Sequence, residues 1–156
     1  PATNTLFVGA VDWCARVQLK RDTADVPAPG TIWFGAENAG STLFDPPDQA
    51  RGWVTAFDAE NGLVRWKYRA AYPILGGVTT TAGGLVFTAD LGGELYALDI
   101  ASGRVLWQTT TGQSTGGGLI TYLAGGRQLL AVAVGMKSPI WPRGAAQSRV
   151  LVFGLR

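Results

Sequence analysis

Gly93-Glu94-Leu95-Tyr96-Ala97-Leu98-Asp99-Ile100-Ala101-Ser102-Gly103-Arg104-Val105-Leu106-Trp107 repeats an earlier stretch, Gly52-Trp53-Val54-Thr55-Ala56-Phe57-Asp58-Ala59-Glu60-Asn61-Gly62-Leu63-Val64-Arg65-Trp66. The shift is constant: from Ala56 to Ala97, Asp58 to Asp99, Gly62 to Gly103 and Trp66 to Trp107 it is 41 residues. A period of about 40 to 45 residues built from short strands indicates propeller blades.

Each copy reads as a β-hairpin. An apolar strand ends in Asp, whose carboxylate accepts hydrogen bonds from backbone N–H groups just ahead, and Gly four residues later supplies the positive φ of the return. Leu95-Tyr96-Ala97-Leu98 is apolar on both faces, as expected of a sheet stacked between two others. Small Ala56 and Ala97 leave room for a large neighbour. Trp66 and Trp107, at a fixed distance, are expected to be largely buried at equivalent seams, since an indole buries much apolar area while its N–H finds a carbonyl.

Further strands are expected near 5–11, 53–58, 63–68, 78–82, 85–90, 93–99, 104–109, 117–123, 128–134 and 148–153, with no segment of helical length showing a 3.6-residue period. Two excursions interrupt them. One, about 16–50, carries Pro27, Pro29, Pro46 and Pro47, and the other, about 137–147, carries Pro139, Trp141 and Pro142. Loops this long are usually functional or mobile.

Composition narrows the possibilities. A hydrophobic content of 47% suffices for a core, 22 glycines suit many tight turns, and 15% charged residues fits sheets covered by neighbours. The 13 Lys and Arg residues are scattered and the net charge is +2, so no nucleic-acid footprint is expected. Leu129–Val134, the longest apolar run, is too short to span a bilayer. With no His and a single Cys14, no Cys/His nucleophile pair or His-containing metal site is available. Cys14 is expected to be a buried small hydrophobe, the alternative being half of a bridge to another part of a parent protein.

The pattern A-x-D-x-x-[TSN]-G-x-x-x-W, at Ala56–Trp66 and Ala97–Trp107, resembles the tryptophan-docking motif of the quinoprotein (pyrroloquinoline-quinone-dependent) dehydrogenases, in which such motifs lock eight blades into a ring. Gly76–Thr88 is similar to a late-blade segment of that family, Thr121–Val134 to its next inner strands, Val150–Leu155 to its closing strand, and Leu6–Cys14 to an upstream strand ending at the cofactor. The resemblance covers most of the chain except roughly 17–51 and matches the C-terminal portion of the family. It implies an all-β fragment of three to four four-stranded antiparallel blades, one incomplete domain over 1–156. A closed ring takes 4 to 8 blades, so the chain is expected to be a piece of one, starting at Pro1 within a strand region.

The resemblance also implies a chemistry for a full-length parent: a periplasmic enzyme that oxidises an alcohol or sugar with PQQ and Ca²⁺ and passes electrons to a cytochrome or quinone. The base and calcium ligands would belong to earlier blades, so no catalytic or metal-ligating residue is assigned to this chain, which is expected to be inactive alone. Candidate cofactor-facing residues are Asp12, Trp13, Leu75, Gly76 and Gly77, expected to converge at the inner blade ends. The family's Asn and Trp contacts would fall at Val11 and Leu75, so neither carries over. The glycine pair admits two readings, close approach to a flat ring or tight packing at the hub. Trp13 is equally well a core residue. Lys137 and Arg143 would lie over the cofactor mouth or on the surface. Asp58 and Asp99 are assigned to turns rather than to a carboxylate pair, Thr79, Thr80 and Thr81 to a strand, and Gly116-Gly117-Gly118 lacks the Lys-Ser/Thr of a nucleotide loop. The alternative function is a non-catalytic propeller scaffold of the outer-membrane-assembly type. Partners implied are the parent's other blades or, for the isolated fragment with its uncovered faces, a second copy through homo-oligomerisation or strand exchange.

Overall fold

The computed structural model describes residues 3–19, 28–30, 42–137, 140–141 and 147–154. Twelve strands are described: β1 (Thr5–Asp12), β2 (Ala15–Val17), β3 (Thr42–Phe44), β4 (Arg51–Asp58), β5 (Val64–Ala70), β6 (Thr79–Thr80), β7 (Leu85–Ala89), β8 (Glu94–Asp99), β9 (Val105–Thr110), β10 (Leu119–Ala124), β11 (Arg127–Val134) and β12 (Arg149–Gly154). They form antiparallel sheets in the orders β1-β4-β5, β6-β7-β8-β9 and β10-β11-β12, with β2-β3 as a separate hairpin. This is the all-β blade architecture that the 41-residue period predicts.

Register aligns the blades. Ala56 on β4 lies between Phe7 and Trp66, and Ala97 on β8 between Phe87 and Trp107. The register slips immediately afterwards in both, between Ala56 and Phe57 and between Ala97 and Leu98. Thus β1, β4 and β5 hold the second, third and fourth places of the four-stranded blade. The β10-β11-β12 sheet holds the first three, because β10 follows β9 through a crossover as β6 follows β5.

One core lies on each side of the middle blade. Val54, Ala56, Trp66, Ala70 and Ile74 meet Val86, Tyr96 and Leu98 on one side. Ala89 and Leu95 meet Leu119, Leu130, Val132 and Val134 on the other. Residues 95–98 are therefore buried on both faces, as the unbroken apolar run requires.

Residues 13–50 form a compact unit of their own, distinct from 1–12 with 51–156. Within it, Ala15–Val17 pairs with Thr42–Phe44, the Trp13 ring stacks on Phe44 with centroids 4.5 Å apart, and the indole N–H donates to the Asp45 carbonyl at 2.7 Å. Pro47–Gln49 is one 3-10 turn. This hairpin lies inside the span expected to be a loop: its three-residue strands are too short for a periodicity signal. Cys14, expected to be buried, is exposed, because at the hairpin root it is its backbone carbonyl that is engaged, accepting from the Asp45 N–H at 3.0 Å. Pro27, Pro139, Pro142 and Arg143 lie outside the described residues.

The expected strand over 78–82 is shorter, only Thr79–Thr80. Gly84, at φ +81°, donates to the Thr81 carbonyl and closes a turn there. The other strands that were expected lie within two residues of their expected limits.

Candidate functional site

Topology gives the molecule two ends. At one lie the hairpin turns 59–63, 81–84, 100–104 and 125–126. At the other lie the crossovers 71–78 and 111–118, the connection 90–93, and two pairs of strand ends, Asp12 with Arg51 and Val134 with Arg149. The second-to-third-strand connection therefore leaves from this end in each blade, and the two excursions in the sequence depart from equivalent pairs of strand ends.

The turn end carries the repeat. The Asp58 carboxylate accepts from the N–H groups of Glu60 and Asn61 and from Arg65, and Asp99 accepts from those of Ala101 and Ser102. Arg65 above all holds the Asp58 carboxyl below the usual range, and Ser102 does so for Asp99. Gly62 and Gly103 have φ of +74° and +71°. Both Asp residues are therefore turn builders, as assigned. The Trp66 indole lies directly over Gly103, where an added Cβ would fall 2.7 Å from the ring carbon Cδ2, and its N–H donates to the Ile100 carbonyl at 3.0 Å. Trp107 departs from expectation. It is 42% exposed against 9% for Trp66; where Trp66 has a glycine turn beneath it, Trp107 meets the Phe153 ring of β12 edge-on, with centroids 6.0 Å apart.

Four of the five candidate site residues lie at the crossover end. Leu75, Gly76 and Gly77 sit in the 71–78 crossover. Its Ile74 packs against Gly9 and Gly52, where added Cβ atoms would come within 2.8 and 2.9 Å of the isoleucine side chain. Gly52 is the cross-strand partner of Val11, so the crossover runs beside the strand end that carries Asp12. The Asp12 carboxylate accepts from the Trp53 indole N–H at 3.0 Å and lies 3.7 Å from Arg69. It is turned over its own sheet, in the second-place strand. The Lys67 ammonium also lies over that indole, 4.2 Å from the ring centroid. Trp13 is engaged within the 13–50 unit.

The two glycines differ. A Cβ on Gly76 would lie 3.1 Å from the Gly117 carbonyl oxygen, so tight hub packing explains it. A Cβ on Gly77 would meet only the Leu119 nitrogen, at 3.7 Å. Gly77 and Leu75 are exposed. Lys137 is exposed as well. Among the described residues no group of three His, Cys, Asp or Glu side chains is placed to hold a metal ion.

Sequence reasoning missed the buried acid at this end. Asp90, fully buried, accepts from the Tyr96 hydroxyl at 2.8 Å and the Glu94 N–H at 3.0 Å, and Tyr68 of the neighbouring sheet packs edge-on against Tyr96 at 5.4 Å. Burial pushes the Asp90 carboxyl above the ordinary carboxylate range and the hydroxyls of Tyr96 and Tyr68 above that of a free tyrosine. Asp90-Leu91-Gly92-Gly93 signals a turn. Nothing local signals its burial.

Comparison with known proteins agrees with this architecture. A PQQ-repeat family model described as outer membrane protein assembly factor BamB matches residues 50–141. The chain is 38% identical over 96 residues to a quinoprotein ethanol dehydrogenase of Pseudomonas aeruginosa, covering 60% of this chain and 15% of that protein. It is 29% identical over 163 residues to the quinoprotein alcohol dehydrogenase PedH of Pseudomonas putida, covering 94% of this chain and 27% of that one. The crystal structure of a quinohemoprotein alcohol dehydrogenase from Comamonas testosteroni superposes with a TM-score of 0.68 at 25% identity, over 99% of this chain and 24% of the other. The chain therefore spans roughly a quarter or less of the length of each.

Proposed function

The chain belongs to the PQQ-repeat propeller family, and on that premise we propose that it forms the C-terminal part of a quinoprotein dehydrogenase, periplasmic and oxidising an alcohol or sugar. The observation that carries the reading is the meeting of the 71–78 crossover with the Asp12 end of β1 on one rim, in a chain whose similarity to quinoprotein alcohol dehydrogenases runs through both segments. A flat heterocycle needs backbone without a Cβ on one side and apolar cover. Gly77 and exposed Leu75 offer these, whereas Gly76 is accounted for by packing.

Bound there, PQQ would supply the two-electron acceptor for alcohol oxidation, with Ca²⁺ as its metal and a cytochrome or quinone as onward acceptor. This chain's part is positional. Leu75 shields one side of the site from water, Gly77 permits close approach, and the Trp53 N–H and Arg69 orient the Asp12 carboxylate at the rim. Base and metal ligands come from other blades.

The test is Gly77→Val against Gly76→Val in the full-length parent reconstituted with quinone and Ca²⁺, reading cofactor content, dye reduction and thermal stability together. Gly77→Val is expected to lose cofactor with little change in stability, and Gly76→Val to lose stability. Full cofactor content in a stable Gly77→Val variant would remove the residue from the site. A second reading, the non-catalytic scaffold, draws support from the matching family model's own description and from an Asp12 engaged by Trp53 and Arg69. A parent that takes up no quinone under these conditions would favour it.

A further inference from the structure

The connection 90–93 is the shortest at its position in the three blades, and both crossovers hang on it. The Leu91 N–H donates to the Pro73 carbonyl at 2.9 Å, and the Thr115 N–H to the Asp90 carbonyl at 3.3 Å. The Tyr72 ring lies against Gly92, and Gly93, at φ +92°, would meet the Gln113 carbonyl oxygen with any Cβ, at 2.8 Å. One four-residue turn therefore sets where 71–78 and 111–118 run.

That turn is built around a buried carboxylate. One Asp90 oxygen accepts from the Glu94 N–H and the other from the Tyr96 hydroxyl, while Tyr68 reaches the same spot from β5 across the seam. The titratable groups facing Asp90 are Tyr96 and Glu94 on β8, Tyr68 on β5 and Tyr72 in the first crossover. The second crossover, 111–118, has none, and neither has β7.

We propose that Asp90 is a proton-sensitive positioning residue, whose ionised carboxylate holds the 90–93 turn and through it the two crossovers in the observed arrangement. Protonation turns one carboxylate oxygen into a donor. The Tyr96 hydroxyl then faces a neutral group, the charge-assisted bonds from Tyr96 and Glu94 weaken, and the turn relaxes. The movement is passed to Pro73 and Thr115 by the two backbone hydrogen bonds, and so to Leu75–Gly77. That last step bears on cofactor binding only if the dehydrogenase reading holds.

Backbone amide resonances of the full chain, without quinone, followed against pH give the test. The amides of Leu91, Gly93, Thr115 and Gly77 are expected to shift together with one midpoint above the usual carboxylate range, and to stay flat in Asp90→Asn. Tyr96→Phe, which takes a hydrogen-bond donor from the anion, is expected to raise that midpoint by about one to two pH units. It serves as the test by itself should Asp90→Asn fail to fold. Amides of Thr115 and Gly77 that do not titrate with Gly93, or a midpoint unmoved in Tyr96→Phe, overturn the proposal. Because no cofactor is used, that outcome leaves the dehydrogenase reading standing. A parent that binds no quinone while the amides still titrate would fail that reading alone.

Discussion

Trp66 and Trp107 occupy the same position in two copies of one repeat, but Trp66 is sealed between sheets and Trp107 is half in solvent. The difference lies in what receives them. Trp66 rests on Gly103 and donates to Ile100, a turn that exists because β8 is followed by β9. Trp107 has the Phe153 ring of β12 against its edge, at 6.0 Å. The seams also differ inside. Where Thr88 pairs with Tyr96 beside buried Asp90 at the first seam, Val132 pairs with Leu151 at the second, and Thr109 stands 41 residues on from Tyr68. A repeated motif therefore specifies a knob, while its energetic worth depends on the neighbour.

The largest expected effect follows directly. Trp66→Ala should cost about 3–5 kcal/mol, as for other buried aromatic truncations, and Trp107→Ala about 1–2 kcal/mol, in proportion to its smaller buried area. Urea denaturation of the two variants measures this, and equal losses would break the comparison.

The seats should rank likewise. Gly103→Ala and Gly62→Ala each force a side chain into the left-handed region, at about 1–2 kcal/mol. Only at Gly103 does the new methyl strike an indole, adding about 1–3 kcal/mol of overpacking, whereas nothing lies within 4 Å at Gly62. A Gly62 variant as unstable as the Gly103 variant would show that backbone strain, not the seated ring, dominates.

Acid separates the turn carboxylates from the buried one. Asp58 and Asp99 are held below the ordinary carboxylate range, so the stability they contribute is present above that range and is lost as pH falls through their depressed values. Asp90 is raised, because burying its charge costs more than the bonds from Tyr96 and Glu94 return; the ionised form grips the turn more tightly but at a net cost to the fold, so the stability present below the unfolded value is lost as pH rises through the folded one. Thermal midpoints from pH 2 to 7 should therefore fall less towards neutral pH in Asp90→Asn than in the parent chain. An unchanged profile would show that the polar first seam is not proton-linked.

The smallest effect concerns Cys14. Being exposed, it should react with a thiol reagent in the native state at a rate close to that of the unfolded chain, with no change in thermal midpoint, which mass spectrometry of timed samples would report.

How far the residues themselves speak varies along the molecule. The blades were readable because alternating strands, an Asp and a positive-φ Gly are local requirements, each imposed by backbone sterics and hydrogen bonding within a few residues. The β2-β3 hairpin was not, since its strands are three residues long and its stability rests on Trp13 meeting Phe44 from 31 positions away. The crossover end was partly readable: Leu75, Gly76 and Gly77 stand out as a break between strands, but the sequence treats the two glycines alike.

By itself, then, the sequence determined the 41-residue blade, its turns and the aromatic knobs, because these follow from short-range preferences repeated at one period. Only the tertiary structure decided that Trp66 is seated and Trp107 is not, that Gly76 is packed while Gly77 is open, that the two excursions depart from equivalent pairs of strand ends, and that Asp90 is buried beneath the turn joining both crossovers. Each of those depends on which surface a neighbouring sheet presents, and burial is a property of the neighbour as much as of the residue.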